Sequence, residues 1–303
     1  MYYCGWDGGG TKTALCAIDG AGNPLFEDSF GPLNPNGAAE GTVRDTVREG
    51  LRLMDSRLPG GLEACGALTV GMAGVSSRDA VRLVEGAIRE RYAGQLRIAG
   101  DQEILLNGAV EGPGAVLIAG TGSICYGRDA QGRLLRVGGW GSLIDDGGSG
   151  YAIGRLLLMA AVRDVDGRCS APLIRRLVFE AAGAAEVSDL ITWLYAPSTG
   201  KREIAALAPL LMEALAQGDM VAEGLADEAA RDLSELALTF FQRAELTRGE
   251  LALTGGVLTH YAPIRERVES LVKAELPDVA VTQPRHSAAR GAALMALRLA
   301  SGG

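Results

Sequence analysis

The chain carries one short pattern twice, at positions 110 residues apart. The stretch GTKTALCAIDGAGNPL begins at Gly10 and aligns without a gap with GTGSICYGRDAQGRLL, which begins at Gly120. The identical pairs are Gly10 and Gly120, Thr11 and Thr121, Asp19 and Asp129, Gly22 and Gly132, and Leu25 and Leu135. Each copy has the pattern of a strand, a turn of small residues and hydroxyls, a second strand, an Asp-x-x-Gly turn and a third strand. The repeat therefore predicts a duplicated β-unit at the head of each of two related domains.

The segments around the two copies predict an α/β protein. Strand-like and helix-like runs alternate over the first half of the chain, which is the pattern of a sheet with helices on both faces. Residues 151–244 are mostly helical in pattern, and the chain returns to a strand at ELALTGGVL before a last helix. At 303 residues the chain is long enough for two domains. We expect one domain over residues 1–112, completed by the C-terminal helix of residues 287–303, and a second over residues 113–286 with helical insertions.

The charge and the cysteine content exclude several classes of protein. A net charge of −8 argues against a nucleic-acid-binding protein, which needs a basic surface. No apolar run reaches the length of about 18 residues that spans a membrane, and the opening MYYCGWDGGG lacks the basic start of a signal peptide. Five scattered cysteines without CxxC spacing favour reduced thiols in the cytoplasm over a thiol-ligated zinc or iron–sulfur site.

Glycines and hydroxyls are concentrated in the turn of each copy. The first turn holds Gly9, Gly10, Thr11, Lys12 and Thr13, and the second holds Thr121, Gly122 and Ser123. Backbone amides without obstructing side chains hold phosphate oxygens well, so two such turns facing a cleft predict a nucleotide site. The first turn is not a Walker A motif, because Thr11 separates Gly10 from Lys12. The alternative is that both are ordinary hairpin turns whose glycines supply positive φ angles.

Two aspartates follow predicted strands, and each has two interpretations. Asp7 directly precedes the first glycines, where it would either hold hydrated Mg²⁺ on nucleotide phosphates or cap a turn. Asp101 follows the strand LRIAG and opens a helix, so its carboxylate either caps that helix or acts as a general base on an attacking hydroxyl. The residues by themselves leave both alternatives open.

The stretch GGWGSLIDDGGSGYAIGR, residues 138–155, is the densest cluster of glycine, aromatic and acidic residues. Trp140 offers a flat apolar face to the C–H side of a sugar ring, and the carboxylates of Asp145 and Asp146 can accept hydrogen bonds from sugar hydroxyls. The alternative is a buried tryptophan beside a solvated acidic loop. Further along, LTGGV ends a strand at Gly255 and Gly256, where a flat base can lie against bare backbone.

Taken in order, these motifs resemble those of one protein family. DGGGTKT, GMAG at residues 71–74, Asp101, AGTGS, GGWGSLIDDGGSGY and LTGGV are similar to the motifs of the BadF/BadG/BcrA/BcrD-type ATPases, and within these to N-acetylglucosamine kinases. The resemblance covers nearly the whole chain. It implies the actin/sugar kinase/Hsp70 fold, in which two ribonuclease H-like domains surround an ATP cleft.

The resemblance also implies roles for individual residues. Gly9, Gly10, Thr11, Lys12 and Thr13 would form the first phosphate loop, with Asp7 assisting Mg²⁺. Thr121, Gly122 and Ser123 would form the second, with Thr121 also touching the sugar, and Gly255 and Gly256 would lie under the adenine. Asp101 would be the base for the sugar 6-hydroxyl, and Gly139, Trp140 and Asp146 would contact the sugar. Asn34 corresponds to the family's sugar-binding asparagine, with Asn36 as the alternative, while the role of Asp145 stays open.

The chain departs from the family at two places. Residues 145–149 are DDGGS where the family often has Gly-Asp-Glu-Gly-Ser, so this motif does not fix the sugar preference. Gln102 and Glu103 follow the candidate base, where the family favours small residues. The sequence also lacks the zinc-binding cysteine cluster of the other large bacterial sugar-kinase group and an iron–sulfur cysteine pair, which weighs against the dehydratase-activator branch of the family.

These observations lead to one hypothesis and several alternatives. The hypothesis is an ATP- and Mg²⁺-dependent kinase of a small-molecule amino sugar, which converts N-acetylglucosamine to its 6-phosphate. Alternatives of the same class are kinases of glucosamine or N-acetylmuramic acid. Those of other classes are a BadF-type ATPase that activates a partner enzyme and a nucleotide-binding regulator with a degenerate site. We expect no nucleic-acid or membrane partner, and the sequence leaves open whether the protein forms a homodimer.

Overall fold

The computed structural model describes residues 1–35 and 38–302. The chain divides into two compact units. The first unit combines Met1–Glu111 with Pro284–Gly303, and the second is Gly112–Gln283.

The first unit is built on a five-stranded mixed sheet with helices on both faces. The strand order is β3-β2-β1-β4-β5, with β1, β2 and β3 antiparallel to one another in turn and β1, β4 and β5 parallel. The strands are β1 (Tyr2–Gly8), β2 (Thr13–Ile18), β3 (Pro24–Phe30), β4 (Cys65–Met72) and β5 (Gln95–Gly100). The helices are α1 (Glu40–Arg57), α2 (Arg78–Arg89), α3 (Asp101–Ala109) and α12 (Ala288–Ala300), with a 3₁₀ turn at Gly61–Ala64.

Alternating side chains along these strands divide the core of the first unit into two layers. Trp6 and Leu15 are buried in the cluster that α1 and α2 cover, whereas Cys16 and Ile18 are buried with residues of α12. This is the period of two expected for a sheet that is covered on both faces. Gly5 permits the second contact, because a Cβ there would lie 2.1 Å from the backbone nitrogen of Ala293.

The second unit repeats the sheet and adds more helices. The strand order is β10-β9-β6-β7-β8, with β6, β7 and β8 antiparallel in turn and β6, β9 and β10 parallel. The strands are β6 (Gly114–Ala119), β7 (Ser123–Arg128), β8 (Leu134–Gly138), β9 (Gly249–Thr254) and β10 (Val279–Thr282). The helices are α4 (Gly150–Val165), α5 (Pro172–Ala182), α6 (Val187–Leu194), α7 (Lys201–Ala205), α8 (Pro209–Ala216), α9 (Met220–Arg243), α10 (Gly256–His260) and α11 (Ala262–Glu275).

The two sheets confirm the repeat that the sequence predicts. In the turn after β2, Asp19 Oδ1 accepts hydrogen bonds from the N–H groups of Ala21 and Asn23, at 2.8 and 2.9 Å. In the turn after β7, Asp129 Oδ1 accepts from the N–H groups 110 positions later, those of Gln131 and Arg133, at 2.9 Å each. The first hairpin loop, residues 9–12 between β1 and β2, has one residue more than the second hairpin loop, residues 120–122 between β6 and β7.

The secondary structure confirms the predicted α/β class and the helical stretch that follows residue 151. Among the described residues, none of the helices combines the length and the apolar character that crossing a membrane requires.

Candidate functional site

The first hairpin loop answers why the chain opens with consecutive glycines. Gly9 N–H donates to the carbonyl of Lys12 at 3.1 Å, and a Cβ on Gly9 would lie 2.9 Å from that oxygen. Gly10 is exposed, and the nearest atom to its absent Cβ is Asn34 Nδ2, at 3.9 Å. Neither glycine has a positive φ. Internal packing therefore explains Gly9, whereas neither backbone conformation nor crowding by the protein explains Gly10.

The second hairpin loop also contains a glycine, Gly120, that neither conformation nor packing requires. Gly120 has no positive φ, and a Cβ there would meet nothing within 4 Å. Its carbonyl accepts the N–H of Gly150, at 2.7 Å, and the carbonyl of Thr121 accepts the N–H of Tyr151, at 3.3 Å. These bonds join the loop to the first residues of α4, while Gly120 stays bare on its open side.

The hydroxyl residues at the end of each loop face the protein interior. Thr13 is fully buried and donates to the carbonyl of Gly31 at 2.7 Å. Ser123, its counterpart in the repeat, donates to the carbonyl of Gly147, also at 2.7 Å. In each unit the hydroxyl thus fastens the hairpin to the segment that follows the third strand. Of the predicted hydroxyl contacts, Thr11 and Thr121 are the exposed ones.

Asp7 lies near the end of β1 and Asp101 follows the end of β5, and β4 lies between these two strands in the first sheet. Gly8 pairs with Met72, and Met72 pairs with Gly100, so the two aspartates flank one row across three strands. Two strand spacings put the backbones of Gly8 and Gly100, the residues next to the two aspartates, roughly 10 Å apart. Burial, followed by the nearby charge of Asp101, raises the pKa of Asp7 above its usual value. Excess negative charge therefore accumulates at this edge of the sheet, where a bound cation would be favoured.

Asp101 is exposed and begins α3, but it does not occupy the N-cap position. Gly100 occupies it, and Asp101 Oδ1 accepts the N–H of the next residue, Gln102, at 3.0 Å. Glu103 is engaged elsewhere, in an ion pair with Arg97 at 2.6 Å. Asp101 thus satisfies an N–H group of the first helical turn from the first helical position, and this contact leaves the capping and the general-base interpretations both open.

Trp140 lies on the loop that follows β8, and 65% of its surface is exposed. The guanidinium of Arg136 stacks on the indole at 4.2 Å from the ring centroid and also donates to the carbonyls of Gly138 and Gly139. Asp145 accepts the N–H of Trp140 at 3.1 Å. The structure thus gives Asp145 a role in shaping the loop, and it presents Trp140 as an exposed aromatic surface backed by a cation.

Asp146 is almost fully buried, unlike its neighbour. It has a left-handed φ of 69°, which is costly for a residue with a side chain. Its Oδ1 accepts the N–H of Ser123 at 3.3 Å, and its Oδ2 pairs with Lys201 Nζ at 2.7 Å. The carboxylate therefore joins the loop of Trp140 to the second hairpin loop.

Gly255 and Gly256 differ in what requires them. Gly255 has a φ of 89°, and a Cβ there would lie 2.4 Å from the carbonyl oxygen of Ala119, so the fold needs glycine. Gly256 begins α10, and a Cβ on it would lie more than 4 Å from any atom other than those of its neighbours along the chain. It lines a cavity of about 360 Å³. The other lining residues are Gly120, Thr121, Gly150, Arg202, Ala205, Ala206, Ala208, Val257 and Tyr261.

Within each unit the structure brings the predicted residues together. Asp7, the first hairpin loop, Asn34 and Asp101 share one edge of the first sheet. The second hairpin loop, the loop of residues 139–149 and Gly256 surround the start of α4 in the second unit. Asn36, the alternative to Asn34, lies outside the described residues. Among those residues, no group of three or more His, Cys, Asp or Glu side chains is placed to hold a metal ion.

Comparison with known proteins identifies the family to which the chain belongs. A sequence model described as the BadF/BadG/BcrA/BcrD ATPase family matches residues 4–296. The chain belongs to this family. The N-acetylmuramic acid/N-acetylglucosamine kinase of Clostridium acetobutylicum is 31% identical over 97% of this chain and 98% of its own. The N-acetyl-D-glucosamine kinase of Dictyostelium discoideum is 27% identical over 97% of each chain.

A solved structure extends the likeness of this BadF/BadG/BcrA/BcrD family member to the fold. The crystal structure of a candidate N-acetylglucosamine kinase from Chromobacterium violaceum has a TM-score of 0.73 and 26% identity, covering 97% of this chain and 98% of that one. Together with the two five-stranded sheets, this likeness confirms the predicted fold class, an actin-like ATPase fold of two ribonuclease H-like domains.

Two residues of this family member were missed by the sequence analysis. Arg136 stacks on Trp140, and Lys201 neutralises Asp146. Arg136 lies four residues before Trp140, but the turn between them is not helical, so its spacing carried no signal. Lys201 is separated from Asp146 by 55 residues, and nothing local marks it.

Proposed function

We propose that the protein transfers the γ-phosphoryl group of ATP to the 6-hydroxyl of N-acetylglucosamine or a close relative. The enzyme class is that of ATP-dependent sugar kinases, because both curated relatives are kinases of N-acetylated amino sugars and align with 97% of the chain. To this enzyme class our proposal adds the sugar position that is phosphorylated, the general base and the metal ion. N-acetylmuramic acid is a further candidate substrate, since the Clostridium acetobutylicum relative is named for both sugars.

The observation that carries the proposal is the pair of bare glycines, Gly10 and Gly120. They occupy aligned positions of the repeat, each three residues before the first residue of the second hairpin strand, and neither positive φ nor contact with the protein requires glycine at either one. A ligand that approaches the main chain closely would require it, and phosphate oxygens are such a ligand. We infer that amides of residues 10–12, 121 and 122, with the hydroxyls of Thr11 and Thr121, bind phosphates of ATP, whereas the N–H groups of Gly9 and Ser123 donate to Lys12 and Asp146 within the protein. Lys12 is exposed and supplies a positive charge in the first loop.

Asp101 is assigned as the general base. Its carboxylate takes the proton from the sugar hydroxyl as that oxygen bonds to the γ-phosphorus, and the bond to the β,γ-bridging oxygen breaks to release ADP. Asp7 is assigned to Mg²⁺, which neutralises phosphate charge when bound. The raised pKa of Asp7 supports this assignment, because burial and the charge of Asp101 leave its carboxylate short of a counter-charge. One or two carboxylates are enough for Mg²⁺ bound to a nucleotide, since phosphate oxygens and water supply the remaining ligands.

The sugar and the adenine are assigned to the remaining residues. Asn34, beside Gly10, would hydrogen-bond the sugar, and Trp140 would lie against its ring. Gly139, Thr121 and Asp146 complete the proposed sugar contacts. The adenine is assigned to the cavity bordered by Gly256, with Gly255 shaping the backbone beside it.

The experiment is a screen of sugar-dependent ADP release with N-acetylglucosamine, N-acetylmuramic acid, glucosamine, N-acetylmannosamine and glucose, in the presence of Mg²⁺. We expect an N-acetylated glucosamine to give the highest kcat/KM, with phosphorus NMR showing the ester at position 6. If none of the five sugars stimulates ADP release, the proposed function is wrong.

Asp101→Asn tests the base within the same assay. We expect kcat to fall by about 10²–10⁴-fold, while ATP binding measured by calorimetry is retained, because the amide keeps the shape and loses the proton acceptor. Asp79→Asn is the matched control, since Asp79 also lies in the first turn of a helix of the first unit and is exposed. Turnover of Asp101→Asn close to that of Asp79→Asn would contradict the assignment.

A further inference from the structure

The carboxylate of Asp146 is enclosed beside the second hairpin loop. Its side chain is 4% exposed, and one of its oxygens lies 2.9 Å from the position that a Cβ on Gly122 would take. Its other oxygen accepts the N–H of Ser123 at 3.3 Å. A charge buried to this degree is stable only with a partner of opposite charge or with several hydrogen bonds.

Lys201 supplies that partner from the helical insertion. Its Nζ lies 2.7 Å from Asp146 Oδ2, and in the described part of the chain it is the cation within ion-pair distance of this carboxylate. The loop has other charged neighbours of both signs, with Arg136 and Arg155 beside it as well as acidic groups. Asp232 approaches Gly147, and burial, followed by the charges of Glu228 and Glu235, raises the pKa of Asp232.

The position of Lys201 is fixed by the start of α7. The carboxylate of Glu203 accepts the N–H of Gly200 at 2.9 Å, which sets where the helix begins. The backbone of α7 lies directly on α4, because a Cβ on Gly154 would be 2.0 Å from the carbonyl oxygen of Ile204. Since α4 starts just after the loop of residues 139–149, α7 presents Lys201 at a defined place relative to Asp146.

We propose that Lys201 is a positioning residue for sugar binding, an inference that rests on the proposed function. Its ammonium holds Asp146 against the second hairpin loop and thereby keeps the loop that carries Trp140 in the shape the sugar needs. Lys201 acts through Asp146, so it needs no contact with the substrate. Without it, the unpaired carboxylate is driven toward water, and Asp146 Oδ1 loses the hydrogen bond that it accepts from the N–H of Ser123.

The test compares Lys201→Met with Lys201→Arg and with Lys273→Met. Lys273 is exposed in the last turn of α11 and is the matched control for loss of a lysine. We expect Lys201→Met to raise the KM for the sugar by about tenfold or more, with the KM for ATP changed by less than about twofold. Lys201→Arg keeps the ion pair and should restore the sugar KM to within about threefold of wild type. Lys273→Met should match wild type in every constant.

Two further measurements distinguish a positioning role of Lys201 from a loss of protein stability and from a failure of the proposed function. The double variant Lys201→Met/Asp146→Asn removes both charges, so it should regain the melting temperature that Lys201→Met loses while its sugar KM stays raised. A sugar KM of wild-type value in Lys201→Met would overturn the positioning role, whatever the KM of the double variant, because Asp146 is itself assigned as a sugar contact. If wild-type protein phosphorylates none of the five sugars, the proposed function fails instead.

Discussion

Gly120→Ala tests whether glycine is needed at this position by the fold or by a bound ligand. The added methyl group would meet nothing within 4 Å and would sit at an allowed φ, so the fold should tolerate it. Gly→Ala at a compatible site stabilises by about 0.4–1 kcal/mol through the unfolded state. In a domain of this size we expect the melting temperature to stay equal to that of wild type or to rise by about 1–4 °C.

Binding of ATP should change in the opposite sense. If a phosphate oxygen bonds to the amides of the second hairpin loop, a methyl group there removes about one charge-assisted hydrogen bond, worth about 1.5–3 kcal/mol. This corresponds to a Kd for ATP weaker by about 10–150-fold, which calorimetry with a non-hydrolysable analogue measures directly. The contrast between an unchanged melting temperature and weakened binding is the expected signature of a backbone that a ligand approaches.

Two other glycines serve as controls. Gly20→Ala also adds a methyl group in open space, and the repeat carries Ala130 at the equivalent position, so its melting temperature should be equal to or slightly above that of wild type while ATP binding stays at the wild-type value. Gly255→Ala should lower the melting temperature by several degrees, because its φ of 89° and the nearby Ala119 carbonyl exclude a side chain. Wild-type affinity for ATP in Gly120→Ala would refute the reasoning about bare glycines.

Three other perturbations have expected outcomes. Trp140→Ala should raise the KM for the sugar by about fivefold to tenfold, because the indole face against the sugar ring is lost. The melting temperature should change little, since the side chain is 65% exposed. An unchanged sugar KM in steady-state assays would exclude stacking of Trp140 on the sugar. Thr13→Val should lower the melting temperature by several degrees, because the part-buried carbonyl of Gly31 loses the donor that it has at 2.7 Å, whereas Thr11→Val, at an exposed position, should not. Equal melting temperatures of the two variants would contradict this difference. Asp7→Asn should be more stable than wild type at pH 7, and this gain in stability should shrink on acidification to pH 4, where Asp7 is increasingly protonated. The sign follows from the pKa of Asp7 in the folded protein, which burial and the charge of Asp101 raise. Wild type therefore loses stability as the pH rises through the folded pKa of Asp7. A difference in melting temperature that does not grow between pH 4 and pH 7 would argue against this charge imbalance.

The features that the sequence predicted correctly depend on short-range interactions. The Asp19 and Asp129 turns are closed by hydrogen bonds that span two to four residues, so their sequence signature is complete within each turn. The hairpin loops likewise depend on neighbouring residues. The inward direction of Thr13 was not predicted, because the sequence analysis placed Thr13 in the phosphate loop, although Thr13, Leu15 and Ala17 are alternate positions of one strand.

The features that the sequence did not predict depend on contacts between distant segments. The burial of Asp146 follows from Lys201, which reaches it from another helix 55 residues later. An acidic pair such as Asp145 and Asp146 has the pattern of a solvated loop when no partner is visible, although one carboxylate is buried and the other shapes the loop. Long-range ion pairs of this kind leave no periodic pattern, so the split between the two aspartates required the fold.

The last helix of the sequence has a consequence for synthesis on the ribosome. Helix α12 covers a face of the first sheet, where Gly5 touches Ala293 and where the backbones of Gly108 and Gly291 meet. Domains fold as their residues emerge, yet this face stays uncovered until α12 has left the exit tunnel. Strands β1 and β2, which flank the first hairpin loop, are therefore covered on this face only after the whole second unit has been synthesised, and a nascent chain that stalls before α12 would hold an exposed apolar surface for chaperones to recognise.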